Sequence, residues 1–388
     1  MALLSLGLRS ESLKILYPVI DGDISGGNMI ALRIIEEALR RGHGVVVNSP
    51  TEGKFTNILR EKGIKVYNVD TRRSFRFDNA IKLALIIKKE DINLVHSHTP
   101  LGGVVLSRLG GWIAGVPVIT HAHTRDFMNQ NPFVGQYQSI LNWITSKLFC
   151  AKVIAVSESV KKEIIKQGAA ANKITVVYNG IDLDDYRCNR SSLEIRKEFG
   201  LKENQHIVGE IGRLCEAKGQ HTLVKSVQKV IKKIPDTVFM IVGEDLEKRG
   251  EYKKKLEDLA TNLGVKQHVI FTGYRGDIID LMHAFGFLIL PSLVEGLSVV
   301  ILEAMLAKKA VIATSVGGNP EIVMDGETGT LISPEDPDRL AEAIIYYLEH
   351  PEISKRMGEM GYERVGKYFS LSQMLDKVMN IYKEVLHL

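Results

Sequence analysis

The chain alternates short apolar runs with longer segments whose apolar residues recur every three or four positions. KILYPVI at 14–20 reads as a strand. MIALRIIEEALRRG follows, with Ile30, Ile34, Ala38 and Leu39 on one helical face and Gly42 as the stop. GVVVNS, NLVHSH, PVITHAH and KVIAVS are further β-branched runs, and helical stretches such as FDNAIKLALIIKKE lie between several of them. After residue 200 the rhythm restarts. HIVGEIG, TVFMIVG, HVIFTG, FLILPS and AVIATS read as strands, QHTLVKSVQKVIKKI and LSVVILEAMLAKK as helices. Such alternation implies parallel sheets with helices on both faces. The restart implies an α/β chain of two Rossmann-like domains facing a central cleft. The first domain is expected over 1–185, ending in TVVYNGIDLDDY, with the polar stretch RCNRSSLEIRKEFGLKEN as crossover. The second is expected over 186–369, with a C-terminal helix at about 370–388 packing back on the first.

A length of 388 residues is more than one core usually holds, which agrees with two domains. The composition, 45% hydrophobic and 25% charged, is that of an ordinary soluble protein. No apolar run approaches the roughly 20 residues that span a bilayer. The opening MALLSLGLRSES has its Arg on the wrong side of the apolar stretch and no cleavage site, so it reads as a loose leader. Cys150, Cys188 and Cys215 form neither a disulfide framework nor a zinc pattern, which fits a reducing cytoplasm. The net charge of +4 divides into +6 over residues 1–185 and −2 over 186–388. A basic first half suits an anionic membrane surface or acceptor; scattered solvated lysines are the plainer reading.

In open parallel sheets ligands sit beyond the carboxyl ends of the strands, so the residues just after each strand matter most. After the first strand, Gly26 and Gly27 in DGDISGGNM precede a helix N-terminus, which favours an anion; a tight turn is the alternative. After HIVGEIG comes GRLCEAKGQ, where Arg213 and Lys218 could hold a diphosphate, one as a fork and one as a point charge. Two ordinary surface cations are the alternative. The most informative segment is LPSLVEGLSVVILEAMLAKKAVIATSVGGNPEIV at 290–323. Glu295 follows a strand on a turn, and a helix starting near Leu297 or Ser298 carries Glu303. Were the segment wholly helical, the two carboxylates would lie roughly 12 Å apart along the axis, about the span of a nucleoside diphosphate sugar. Glu303 sits in an apolar helix, which is costly unless the carboxylate has partners. Ribose hydroxyls would supply donors, and Lys308 or Lys309 would be the structural alternative. Gly317 and Gly318 would let backbone approach a ligand, and Pro320 suits a helix first position.

The two glutamates seven residues apart, the GR-x-x-x-x-KG string and the GG-x-x-E loop resemble family 4 of the retaining GT-B glycosyltransferases. IVGE at 241–244, FTGY at 271–274 and YNGID at 178–182 are similar to that family too. The resemblance spans roughly residues 14–385 and is most specific near the C-terminal motifs. It implies that Arg213 and Lys218 hold the donor diphosphate. Glu295 then contacts donor-sugar hydroxyls, helped by the amides of Gly296, Leu297 and Ser298, and Glu303 binds ribose. Gly26 and Gly27 resemble the glycine loop that closes over the diphosphate. His123 in ITHAHTRDF resembles the histidine that reaches the donor sugar, with His121 and His98 as the other candidates.

The resemblance further implies transfer of a hexosyl or related sugar from a nucleotide sugar, by family habit UDP-linked, to a glycan or lipid-linked acceptor. Bacterial cell-surface polysaccharide or glycolipid synthesis is the expected setting. The nucleotide sugar is a substrate, so no cofactor is expected, and no nucleic acid. No Asp-x-Asp or histidine cluster is apparent, and catalysis without metal is expected. Front-face substitution is implied, with positioning, charge stabilisation and domain closure as the main contributions. A sugar-nucleotide epimerase of the same architecture, or a non-catalytic sugar-nucleotide-binding protein, are the other readings. The enzyme is expected in the cytoplasm, with peripheral contact at an anionic inner membrane face. Two features motivate that contact: the basic residues Arg72, Arg73, Arg76, Lys82, Lys88 and Lys89, and an apolar segment from Phe127 to Phe149. Phe133, Tyr137, Ile140, Leu141, Ile144 and Leu148 recur there at helical spacing. The same stripe packed on the sheet is the alternative.

Overall fold

The computed structural model describes residues 12–72, 76–124, 132–184, 188–245 and 250–388. Arg73, Phe127 and the side chain of Phe133 fall outside them. The chain forms two compact units: residues up to Val156 with Val160–Val177 and Leu375–Leu388, and Ser157–Ser159 with Tyr178–Met374.

The first unit contains seven strands: β1 (Lys14–Pro18), β2 (Gly44–Asn48), β3 (Lys65–Tyr67), β4 (Leu94–Ser97), β5 (Val118–Ala122), β6 (Lys152–Ala155) and β7 (Ile174–Val176). They pair in the order β3-β2-β1-β4-β5-β6-β7, all parallel. The second unit contains six: β8 (His206–Ile211), β9 (Thr237–Val242), β10 (Val269–Gly273), β11 (Phe287–Leu290), β12 (Val311–Thr314) and β13 (Gly329–Ile332). Their order is β10-β9-β8-β11-β12-β13, again parallel. Each unit is thus the Rossmann-like α/β layer expected from the alternating pattern.

Continuous apolar strands such as KILYP and TVFMIV are buried along nearly their whole length because helices cover both sheet faces. In the second unit, helix Gln220–Lys233 seats Leu223, Val224, Val227 and Val230 in a core shared with Phe239 and Ile241 of β9. Strand order reverses between β1 and β4 and between β8 and β11. At such a point the connections leave to opposite faces and open a crevice at the strand ends.

Helix Pro132–Phe149 reverses the usual sidedness. Asn142, Thr145 and Ser146 are buried, while Tyr137, Ile140, Ile144, Trp143 (50% exposed) and Leu148 (63%) face out. Asn142 accepts from Arg108 Nη1 at 2.7 Å and donates to the Gln167 carbonyl at 2.9 Å, and the Ala170 amide donates to Ser146 Oγ at 3.0 Å. These bonds hold the polar face inward. The sheet-packing alternative for the apolar stripe is therefore incorrect for these residues. Among the described residues, no helix is long and apolar enough to cross a membrane.

Candidate active site

In the second unit, β8 and β11 are neighbours at the reversal point, so the loops leaving them converge. Lys218 closes a short 3-10 turn (Glu216–Lys218) after β8, and Glu295 lies on the turn after β11. Their side chains meet, Lys218 Nζ to Glu295 Oε1, at 2.6 Å. Ser292 Oγ donates to the same carboxylate oxygen at 2.6 Å. Glu295 has 9% of its side chain exposed and Lys218 has 22%. Arg213 is exposed on the same loop, and its carbonyl accepts from Gln220 Nε2 at 2.9 Å.

Beneath this pair lies Glu210, a fully buried carboxyl in β8 that also accepts from Gln220 Nε2, at 3.2 Å. Burial pushes its pKa up to about 8 against the opposing pull of Lys218, so near neutral pH it is largely protonated. Glu210 and Ser292 were missed by sequence reasoning. A Glu in the middle of an otherwise apolar strand was the available signal for the first; nothing marked the second.

The turn after Glu295 is built from backbone. Helix Val299–Leu306 begins one residue later than the latest start expected, with Ser298 as its N-cap. Residues 295–298 are not helical, so the axial spacing of about 12 Å that assumes one helix does not apply. The Gly296 carbonyl accepts from Ser157 Oγ at 3.2 Å and from the Gly318 amide at 2.7 Å, and Asn179 Nδ2 donates to the Leu297 carbonyl at 3.2 Å. Asn179 is the Asn of YNGID, which gives that motif a structural use. The two glycines at 317 and 318 serve this packing. Gly317 has φ +54°, a Cβ there would overlap the Glu295 carbonyl, and one at Gly318 would lie 2.5 Å from the Gly296 carbonyl oxygen. They let one loop lie against another.

The Glu303 carboxylate has no hydrogen bond or ion pair among the described residues, although its backbone carbonyl accepts from the Ala307 amide at 3.0 Å. Lys309 Nζ donates to the carbonyls of His283 and Phe285 at 3.0 and 2.7 Å, and Lys308 lies over the Tyr362 ring. The salt-bridge alternative for Glu303 is therefore incorrect. Burial pushes its pKa up to about 7.

In the first unit, β1, β4 and β5 bring Gly27, His98 and His123 together. Helix Gly26–Arg40 starts at the glycine pair, with Ser25 Oγ accepting from the Asn28 amide at 3.3 Å. A Cβ on Gly27 would come within 3.3 Å of the His123 ring, whereas one on Gly26 would meet nothing within 4 Å. His98 Nδ1 and His123 Nε2 share a hydrogen bond at 2.9 Å. Behind them His121 Nδ1 meets His96 Nε2 at 3.3 Å, His96 Nδ1 meets Tyr382 Oη at 2.6 Å, and Tyr382 Oη meets Tyr17 Oη at 3.0 Å. Burial depresses all four histidines, His123 to about 4, so they are neutral.

The expectation of no histidine cluster is thus wrong: one ring nitrogen each from His96, His98 and His121 lie within 4.8 Å of one another. Residues of the same parity on adjacent strands share a sheet face, and this gathers them. His121 stacks on His96 at 19° and on His98 at 25°, with centroids 5.4 and 4.8 Å apart, while His96 and His98 are tilted by 43°. The arrangement suits stacking and hydrogen bonding.

Residues 24–185 match the family described as Glycosyltransferase Family 4, and residues 191–364 match Glycosyl transferases group 1. N-acetyl-alpha-D-glucosaminyl L-malate synthase of Bacillus anthracis is 24% identical over 372 residues, 94% of this chain and 95% of that protein. The UDP-Gal:alpha-D-GlcNAc-diphosphoundecaprenol alpha-1,3-galactosyltransferase of Escherichia coli is 28% identical over 79% of each chain. The crystal structure of Anabaena HepE in complex with UDP-glucose superposes with a TM-score of 0.85 at 25% identity, covering 96% of this chain and 100% of that one. The chain belongs to the family 4 glycosyltransferases of GT-B fold.

Proposed function

We propose that the chain is a retaining, metal-independent hexosyltransferase that takes its sugar from a UDP-linked donor and delivers it to a glycan or lipid-linked acceptor in cell-surface polysaccharide or glycolipid synthesis. The observation that carries this reading is the Lys218–Glu295 contact at the paired ends of β8 and β11, with Glu303 unpartnered on the helix that follows. Arg213 and Lys218 neutralise the leaving diphosphate, aided by the N-terminus of helix Val299–Leu306. Glu303 accepts from the ribose hydroxyls. Glu295 and the Gly296–Ser298 turn bind sugar hydroxyls, and His123, beside Gly27, is assigned to a sugar oxygen. Glu295 is tied to Lys218 and Ser292, which suits a positioning carboxylate better than a nucleophile; retention then follows from front-face attack, with the leaving phosphate oxygen accepting the acceptor's proton. The UDP-glucose complex of HepE and the lipid-linked acceptor named for the E. coli relative support the donor and acceptor classes.

The test is the pH dependence of UDP-glucose binding. Only the ionised Glu303 accepts from both ribose hydroxyls, and its pKa is raised to about 7 in the free protein. Donor affinity is expected to rise with pH through that value, falling roughly tenfold per unit below it at most. UDP-glucose has no secondary phosphate proton to confuse the profile. Glu303→Gln should flatten this step, and a step unchanged in that variant contradicts the assignment.

The outward apolar face of helix Pro132–Phe149 suits an inner membrane surface. Trp112 is exposed beside it, its ring 4.8 Å from that of Phe149. The basic stretch contributes less than its charge count implies, because Arg72 pairs with Asp70, and Arg76 and Lys82 pair with Asp78. Binding to anionic vesicles is therefore expected to survive moderate salt and to be lost in a Trp143→Ala, Leu148→Ala double variant. Absence of co-sedimentation with anionic vesicles at low salt contradicts it.

A further inference from the structure

His98 and His123 form a closed pair in which one unmade bond decides the position of every proton. Both imidazoles are neutral, so each carries one N–H and one lone pair. Their shared bond, His98 Nδ1 to His123 Nε2 at 2.9 Å, needs one donor and one acceptor. His98 is 1% exposed, and its remaining nitrogen, Nε2, is buried with no hydrogen-bond partner. Were His123 the donor, that Nε2 would be a buried N–H with nothing to donate to. Were His98 the donor, it would be a bare lone pair. Orphaned buried N–H groups are the rarer and costlier of the two.

The neighbouring thread obeys the same rule. His121 Nε2 is likewise buried and unpartnered. Placing its proton on Nδ1 makes His121 donate to His96 Nε2, His96 Nδ1 donate to Tyr382 Oη, and Tyr382 donate to Tyr17 Oη. Every bond in the thread is then satisfied with one direction of donation.

We propose that His98 is a positioning residue that fixes His123 in the Nδ1–H tautomer, so that His123 offers a hydrogen-bond donor to a sugar oxygen. His123 Nε2 is occupied as acceptor, so its proton resides on Nδ1, which has no partner among the described residues. The ring is held further by stacking on His98 and His121, with centroids 5.1 and 4.6 Å away. The ligand recognised would be a hydroxyl or ring oxygen able to accept, and a group offering only an N–H would be refused. The sugar assignment rests on the proposed function; the tautomer does not.

Long-range proton–nitrogen correlation on ¹⁵N-histidine-labelled full-length protein, free of ligand, reads the tautomer directly. His123 should show a protonated Nδ1 and a bare Nε2. His98→Leu should shift His123 toward a tautomer mixture and lower kcat about tenfold with UDP affinity unchanged. His98→Asn, whose amide Nδ2 replaces the Nδ1 donor, should restore both the spectrum and most of kcat. A wild-type His123 protonated at Nε2, or a His123 spectrum unmoved by His98→Leu, overturns the proposal. The wild-type spectrum decides even if the Leu variant does not fold. Should the spectrum be as expected while His123→Ala keeps full turnover, His98 stands as the tautomer's determinant and the assignment of His123 to the sugar falls.

Discussion

Glu303→Ala is expected to lower the affinity for free UDP by about 30- to 100-fold, the largest binding defect of any single change in the second unit. The carboxylate has no partner among the described residues, so its truncation breaks nothing in the resting protein. What is lost is two bonds from ribose hydroxyls to a charged acceptor. Such bonds contribute about 1.5–3 kcal/mol each before water replaces them, and about 2–3 kcal/mol together is a fair net. Folding stability should hold, since the half-buried carboxylate makes no bond among the described residues that its removal would break. Calorimetric titration with UDP beside a thermal melt checks both parts. Unchanged UDP affinity would remove Glu303 from the nucleotide site.

Lys218→Ala is expected to reduce kcat by about 10²- to 10³-fold, the range for loss of a preorganised electrostatic group at developing charge. Two consequences combine. The diphosphate loses a point charge, and Glu295 loses the ammonium 2.6 Å from its carboxylate. The ion pair also couples the two residues energetically, so Glu295→Ala should weaken UDP binding somewhat as well as turnover, by freeing Lys218. A double-mutant cycle on UDP affinity and kcat should show coupling of about 1–3 kcal/mol. Additive losses would mean that Lys218 and Glu295 act apart when the donor is bound.

The parts legible in the sequence were those governed by local periodicity. Parallel α/β units followed from strand and helix rhythm, and Arg213, Lys218, Glu295 and Glu303 were visible because each follows a strand or interrupts an apolar helix. The Lys218–Glu295 contact is different in kind. The residues are 77 positions apart, and only the adjacency of β8 and β11 brings them together. The histidine stack is the same case: VHSH and THAH are visible strings, but their alignment needs the β4–β5 pairing, and Tyr382 arrives from 286 residues beyond His96. The helix over Pro132–Phe149 shows a further limit. Its periodicity marks an apolar stripe, yet which face turns inward is decided by partners such as Arg108 and Gln167 elsewhere in the chain. Gly317 and Gly318 signalled a close backbone approach but not that the turn at Glu295 and Gly296 is the neighbour, because a glycine pair says that something comes near without saying what.

The central claim is sugar transfer from a nucleotide donor without metal and with retention. It is tested most directly by incubating the full chain with UDP-sugars and lipid-linked or glycan acceptors in excess chelator, following UDP release and product stereochemistry together. The account predicts one UDP per glycoside formed, a new linkage with the donor's anomeric configuration, and undiminished turnover in the chelator. Conversion of the donor to another UDP-sugar with no acceptor present, an inverted linkage, or activity that returns only on adding magnesium or manganese would contradict it.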